Sequence, residues 1–139
     1  MRKELTDEWQ DRGVKKGVEY AILTDELTKA WAGMTTKQYK NLKGLRKENL
    51  RDNMSTAEIV LNMFAEVSTT EISKVEKPST FNENRAVARS GGEIAGDTRR
   101  KLEERTDKPV ITAQNAAQLS SVLTGLIEGA AENKDNEDE

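Results

Sequence analysis

With 139 residues, the chain has room for one ordinary domain, or a short domain and a tail, and not for two full domains. Apolar residues make up 35%, charged residues 34% and aromatics 4%, so the core must be aliphatic and thin, which suits slim amphipathic helices better than a sandwich or barrel. The absence of cysteine and histidine excludes disulfides, Ser-His-Asp and Cys-His catalysis, zinc fingers and haem ligation through either residue, while a net charge of −3 does not in itself suggest nucleic acid.

In chain order, Met1 to Glu8 is charged and no apolar h-region follows, so the sequence reads as cytoplasmic rather than exported. No stretch approaches the roughly 20 apolar residues of a membrane-spanning helix. Thr6 and Thr24 are N-cap candidates, each followed by an Asp-Glu pair that complements the positive end of a helix dipole. From Thr24 to Gly33, Leu27, Ala30 and Trp31 share one side, Tyr20 to Leu23 lead in, and Gly33 marks the stop.

Thr35 with Gln38 forms a capping box, and the window behind it is positive. Lys37, Lys40, Lys43, Arg46, Lys47 and Arg51 face only Glu48 there. Thr24 to Leu50 can be read as a helix-turn-helix, with Gly33, Met34 and Thr35 as the turn and Lys37 to Leu45 as the recognition helix. Lys37, Lys40 and Lys43 would line one face toward phosphates, with Tyr39 and Leu42 turned inward. The competing reading is a solvated lysine face, since lysine supplies little bidentate base readout.

Ser55 with Glu58 is the clearest capping box, and the stripe Ile59, Val60, Met63, Phe64 and Val67, continuing to Ile72, predicts a central helix facing the core. Met34, Met54 and Met63 with Trp9, Trp31 and Phe64 read as core rather than as a ligand pocket. After Pro78, Thr80 with Glu83 opens a polar helix over about Phe81 to Arg105. Gly91, Gly92 and Gly96 fall inside it, each costing about 1 kcal/mol relative to Ala, and predict a break or kink. Gly91 to Gly96 lacks the Lys-Ser/Thr of a phosphate loop and has no strand before it, so close helix packing or a hinge is preferred to a nucleotide site.

Pro109 to Ile111 is briefly extended and Thr112 can cap a last helix, about Ala113 to Ala131, with Ala116, Ala117, Leu119, Val122, Leu123, Leu126 and Ile127 on one face. Residues 133–139 carry the acidic run Asp135, Glu137, Asp138 and Glu139 and are expected to be a disordered tail beyond a helical domain over 1–132. The fold expected is therefore all-α, a small domain of about five or six helices. The pairs Asp7-Glu8, Asp25-Glu26 and Glu103-Glu104 lie in charge-mixed, solvent-facing stretches with no apolar pocket to set their pKa values apart, so they read as helix-end charge rather than as catalytic carboxylates.

The stretch Gly44-Leu45-Arg46-Lys47-Glu48-Asn49-Leu50-Arg51-Asp52-Asn53-Met54-Ser55-Thr56-Ala57-Glu58-Ile59, continuing to Asn62, Phe64 and Thr70-Glu71, resembles the C-terminal helical region of the DNA-damage-inducible protein D family. That family has a similar Gly-Leu-basic stretch, then Met, Ser-Thr-Glu-Leu, Asn and Phe. The likeness covers Leu42 to Ile72 best and is weaker over Tyr20 to Met34 and Asn82 to Val110. Members are bacterial or prophage-borne, and several carry an N-terminal Bro-type phage antirepressor module for which this chain has no room. The resemblance implies a regulatory, partner-binding role in the DNA-damage response and no catalytic residues. Asn62 stands out, since Asn is a weak helix former in mid-helix; a bond to a neighbouring loop would explain it.

Together these readings predict a non-catalytic regulatory or macromolecule-binding protein without cofactor or metal. Its site would be Lys37, Lys40, Lys43, Arg46, Lys47 and Arg51, contacting nucleic acid or an acidic protein partner. The alternative is a structural module that forms homo-oligomers with no nucleic-acid contact. A Mg²⁺-dependent carboxylate-and-lysine nuclease ranks third, because it needs several acids and a lysine to converge.

Overall fold

The structure is a computed structural model and describes residues 2–114. Within them the chain is helical throughout and has no strand, as composition and periodicity led us to expect. The order is α1 Arg2–Asp11, α2 Val18–Ala32, α3 Thr36–Leu42, a 3-10 turn Arg51–Asn53, α4 Thr56–Glu76 and α5 Phe81–Thr106. Most of the expected last helix and the acidic end fall at 115–139, outside the described residues.

Local capping places three of the helix starts. Thr35 and Ser55 each accept a hydrogen bond from the backbone N–H three residues on, and Gln38 and Glu58 reach back to complete the box. Thr80 also accepts from Glu83 N, but Glu83 turns its carboxylate to Ser79 instead. Thr6 and Thr24 are not caps, since both lie inside helices. The Thr6 hydroxyl donates to Lys3 O and that of Thr24 to Tyr20 O, the backbone-directed bonds that a mid-helix Thr makes. α2 accordingly begins six residues before Thr24 and ends at Gly33, whose φ of 78° is the left-handed conformation a helix stop uses.

The core is formed by Leu5 and Trp9 of α1, Leu23, Leu27 and Trp31 of α2, Tyr39 of α3, Leu61 and Ala65 of α4, and Ala88 and Ala95 of α5. α5 packs extensively on both α2 and α4. Its glycines do not break it: the helix runs unbroken for 26 residues. A Cβ on Gly91 would stand 2.6 Å from Thr69 N, one on Gly92 2.5 Å from Leu27 O, and one on Gly96 2.7 Å from Ala30 O. The cost of Gly in a helix is offset by backbone-to-backbone approach that no larger residue permits.

The central helix is turned the other way round from the expectation. Its buried side carries Glu58, Leu61, Ala65, Glu66, Ser68, Thr69, Thr70 and Ser73. The apolar stripe faces outward: Val60 is 56% exposed and Phe64 40%. Thr69, fully buried, meets Gly91 of α5, where a Cβ would not fit, while Gly92 and Gly96 lie against the backbone of α2. Trp9 and Trp31 are core residues and Met34 and Met54 pack against it, whereas Phe64 is not part of the core.

Candidate functional site

Two buried carboxylates on α4 organise the polar interior. Glu58 and Glu66 lie eight residues apart, about 12 Å along the axis. Glu58 accepts from Lys43 Nζ at 3.0 Å, from Ser55 N at 3.1 Å and from the Tyr39 hydroxyl. Lys43 also donates to Thr112 O at 2.9 Å and to Gln114 O at 2.6 Å, which ties the end of the described chain to α4. Burial, and then the hydrogen bond to Glu58, push the Tyr39 phenol far above its ordinary range, which keeps it a donor.

Glu66 is held differently. Arg51 Nη2 lies 2.8 Å from one of its oxygens and Arg2 Nη1 3.7 Å from the other. Arg2 further donates to Thr24 Oγ1 at 2.6 Å and stacks 5.4 Å from the Trp9 ring. Loss of water around Arg2 lowers its pKa, and the repulsion of Arg51 adds to this, while attraction to Glu66 opposes it. Two guanidinium groups share one carboxylate, and both remain more than a third exposed on their side chains.

These groups line a cleft of about 360 Å³, with Thr28, Asn49 and Asn62 among its walls. The Asn62 amide oxygen accepts from Trp31 Nε1 at 3.2 Å, so the mid-helix Asn serves a neighbouring helix rather than a loop. Arg2, Thr24 and Thr36 also border a second, shallower cleft of about 470 Å³ that holds Asp25, Lys37 and Lys40. The two clefts adjoin, with Arg2, Thr24 and Thr36 as common walls, and along the groove they make together Arg2, Lys37, Lys40 and Arg51 outnumber Asp25 and Glu66 two to one. A larger cleft of about 600 Å³ between α2 and α5 is closer to balance: Arg85 and Arg89 are bound to Glu26, and Arg100 to Asp97.

The structure separates the six expected contact residues. Lys37 is exposed and Lys40 half-buried at the shallow end of the groove, with Arg51 at the deep end. Lys43 corrects the expectation: it is wholly buried and bound to Glu58, and does not line up with Lys37 and Lys40. At about 100° per residue, each three-residue step falls about 60° short of a turn, so Lys37 and Lys43 diverge by about 120°. Lys43 shares a face instead with Tyr39, four residues before it, and its ammonium sits 5.7 Å from that ring. Leu42, expected to point inward, is 42% exposed, and α3 stops there rather than reaching Leu45.

Arg46 and Lys47 are exposed but outside the groove, on a loop drawn tight by Glu48, which accepts from both of their backbone N–H groups. Those bonds, the Arg46 N–H foremost, hold the Glu48 carboxyl below its ordinary range. The acidic pairs also need correction. Glu8 is buried, accepting from Arg12 Nε at 2.9 Å and from the Ser73 hydroxyl at 3.1 Å. Arg2, Thr24, Asn49 and Glu66 of the groove were missed by sequence reasoning. Glu66, interrupting an otherwise apolar run, was the one signal available.

Among the described residues no helix is long and apolar enough to cross a membrane, and no three acidic side chains converge as a metal site would need. In comparisons with protein-family models, with curated proteins and with solved structures, nothing matches this chain.

Proposed function

We propose that the chain is a non-catalytic regulatory module that binds a polyanionic macromolecule, nucleic acid in the first place, along the groove between α1, α2, α3 and the start of α4. The observation that carries this reading is the excess of cations over acids along two adjoining clefts, with Lys37 exposed and Lys40 half-buried in one, Arg51 in the other and Arg2 on their common wall. Cations lined up along a groove track a phosphate backbone and release its counterions. Thr24, Asn49 and Asn62 add neutral polar groups of the kind that position a backbone.

The resemblance to the C-terminal region of the DNA-damage-inducible protein D family supports the regulatory, partner-binding part of this reading, and DNA binding by that family's Bro-type module does not carry over. Asn49, Leu50, Arg51, Met54 and Asn62, within the stretch that carries the resemblance, form one wall of the groove. On this reading the protein is regulatory, serves a bacterial or prophage DNA-damage response inside the cell, and engages a repair protein besides nucleic acid.

Binding to a short DNA duplex and to single-stranded RNA, titrated with salt, tests the proposal. Affinity should fall steeply with salt, and Lys37→Ala with Lys40→Ala should flatten the slope by about one to two, one for each phosphate no longer neutralised. Arg46→Ala with Lys47→Ala, outside the groove, should flatten it by less. No measurable binding at low salt rejects the proposal. The alternative, an oligomerising structural module, is favoured by one observation: the apolar outward face of α4.

A further inference from the structure

The outward face of α4 is the largest feature that the groove leaves unexplained. Ile59, Val60, Met63, Phe64 and Val67 occupy that side and its edge for two and a half turns; Val60 and Phe64 are the most open of them. The patch stops where Glu71 and Lys74 take over the outward positions, paired loosely at 3.9 Å. A contiguous apolar patch on a helix whose other side is already packed marks a surface that something covers.

We propose that this face is the docking surface for the chain's own C-terminal segment, residues 115–131. The described residues end beside this face. Gln114 O lies 2.6 Å from Lys43 Nζ, which lies 3.0 Å from Glu58 Oε1, so Lys43 fastens the departing strand of chain beside the residue that precedes Ile59. The anchor is reinforced upstream, where Val110 N donates to Glu103 and Val110 and Ile111 pack on the core.

Length and pattern agree: the apolar positions Leu119, Val122, Leu123, Leu126 and Ile127 recur at helical spacing over nine residues, the same span as Ile59 to Val67, about 12 Å in helical form. The charged residue Glu128 ends that run. From Gln114 to Leu119 the chain reaches at most about 17 Å, enough to bring Leu119 over the start of the patch and too little to reach a distant face first. A four-residue connection folds α5 back along α4, bringing its end near the start of α4, and a helix that follows after a short link returns along its neighbours. A face one helix wide, next to the anchor, fits this occupant better than a second copy, which would have to displace it.

The absence of cysteine from the chain makes a direct test available. Val60→Cys, inside the patch, and Val75→Cys, on the same helix but 81% exposed beyond it, are introduced singly into the full chain and labelled with a thiol reagent. Val60→Cys should react about tenfold more slowly than Val75→Cys at every protein concentration, because a docked segment must first open. Adding Leu123→Asp and Leu126→Asp should bring the two rates to within about twofold while leaving circular dichroism of the folded domain in place. Protection that grows with protein concentration assigns the face to a second copy and overturns the proposal. Equal rates at the outset, or protection that survives the two aspartates, overturns it as well.

Discussion

Glu58 and Glu66 sit two turns apart on one helix, both within 1% of full burial, yet they are neutralised in opposite ways. Glu58 meets a lysine that is itself wholly buried, together with a phenol and its own cap, and the unit is closed. Glu66 meets two arginines whose side chains remain 38% and 39% exposed, and the unit opens into the groove. Exposure of the cation thus separates two otherwise similar ion pairs into one that is structure and one that is surface. A closed pair ties segments together, Lys43 joining α3, α4 and the 112–114 strand of chain, whereas an open pair with a surplus cation leaves charge for a partner.

Five variants test that contrast and the packing around it. Lys43→Met leaves a buried carboxylate without its cation and should cost about 3–5 kcal/mol in urea unfolding. Adding Glu58→Gln should return more than half of that, because the amide oxygen can keep the cap, the amide NH2 can donate to the Tyr39 hydroxyl, and no buried charge is left. Gly91→Val should push α5 off α4 at Thr69, about one turn beyond Glu66. The expected loss is about 3 kcal/mol, at the upper end for overpacking, since the obstacle is backbone.

Arg51→Ala should leave stability within about 1 kcal/mol of the parent, as expected for a cation more than a third exposed, while weakening and flattening the salt-dependent binding. A loss of stability comparable with that of Lys43→Met would erase the distinction between closed and open pairs. The smallest effect belongs to a third acid, Glu26. Burial raises its pKa, but the Arg85 hydrogen bond and the charges of Arg85 and Arg89 outweigh this and hold it below the ordinary value. A depressed carboxylate contributes stability above its unfolded pKa and loses it as pH falls through the folded one. Between pH 7 and pH 3, therefore, Glu26→Gln should lose less stability than the parent.

Where the sequence was legible, local physics governed the outcome. The boxes at Thr35 and Ser55 and the stop at Gly33 depend on residues within four positions of one another, and all three formed as read. The site was legible only in part. Lys37, Lys40 and Arg51 were found from charge alone, but the same reading included Lys43 because a charge run does not say which way a side chain faces. Arg2 and Glu66 escaped because their meaning lies in each other, across 64 residues of chain.

The all-α class, the helix starts at Thr35, Ser55 and Thr80 and the basic character of 37–51 follow from composition and short-range spacing, because helix periodicity and capping are local interactions. The orientation of α4, the continuity of α5 and the burial of Lys43 emerge only when distant segments pack. The close approach of α5 to Thr69 of α4 at Gly91 and to α2 at Gly92 and Gly96 needs backbones far apart in the chain, and Lys43 is buried by a carboxylate on α4 and by carbonyls of 112 and 114.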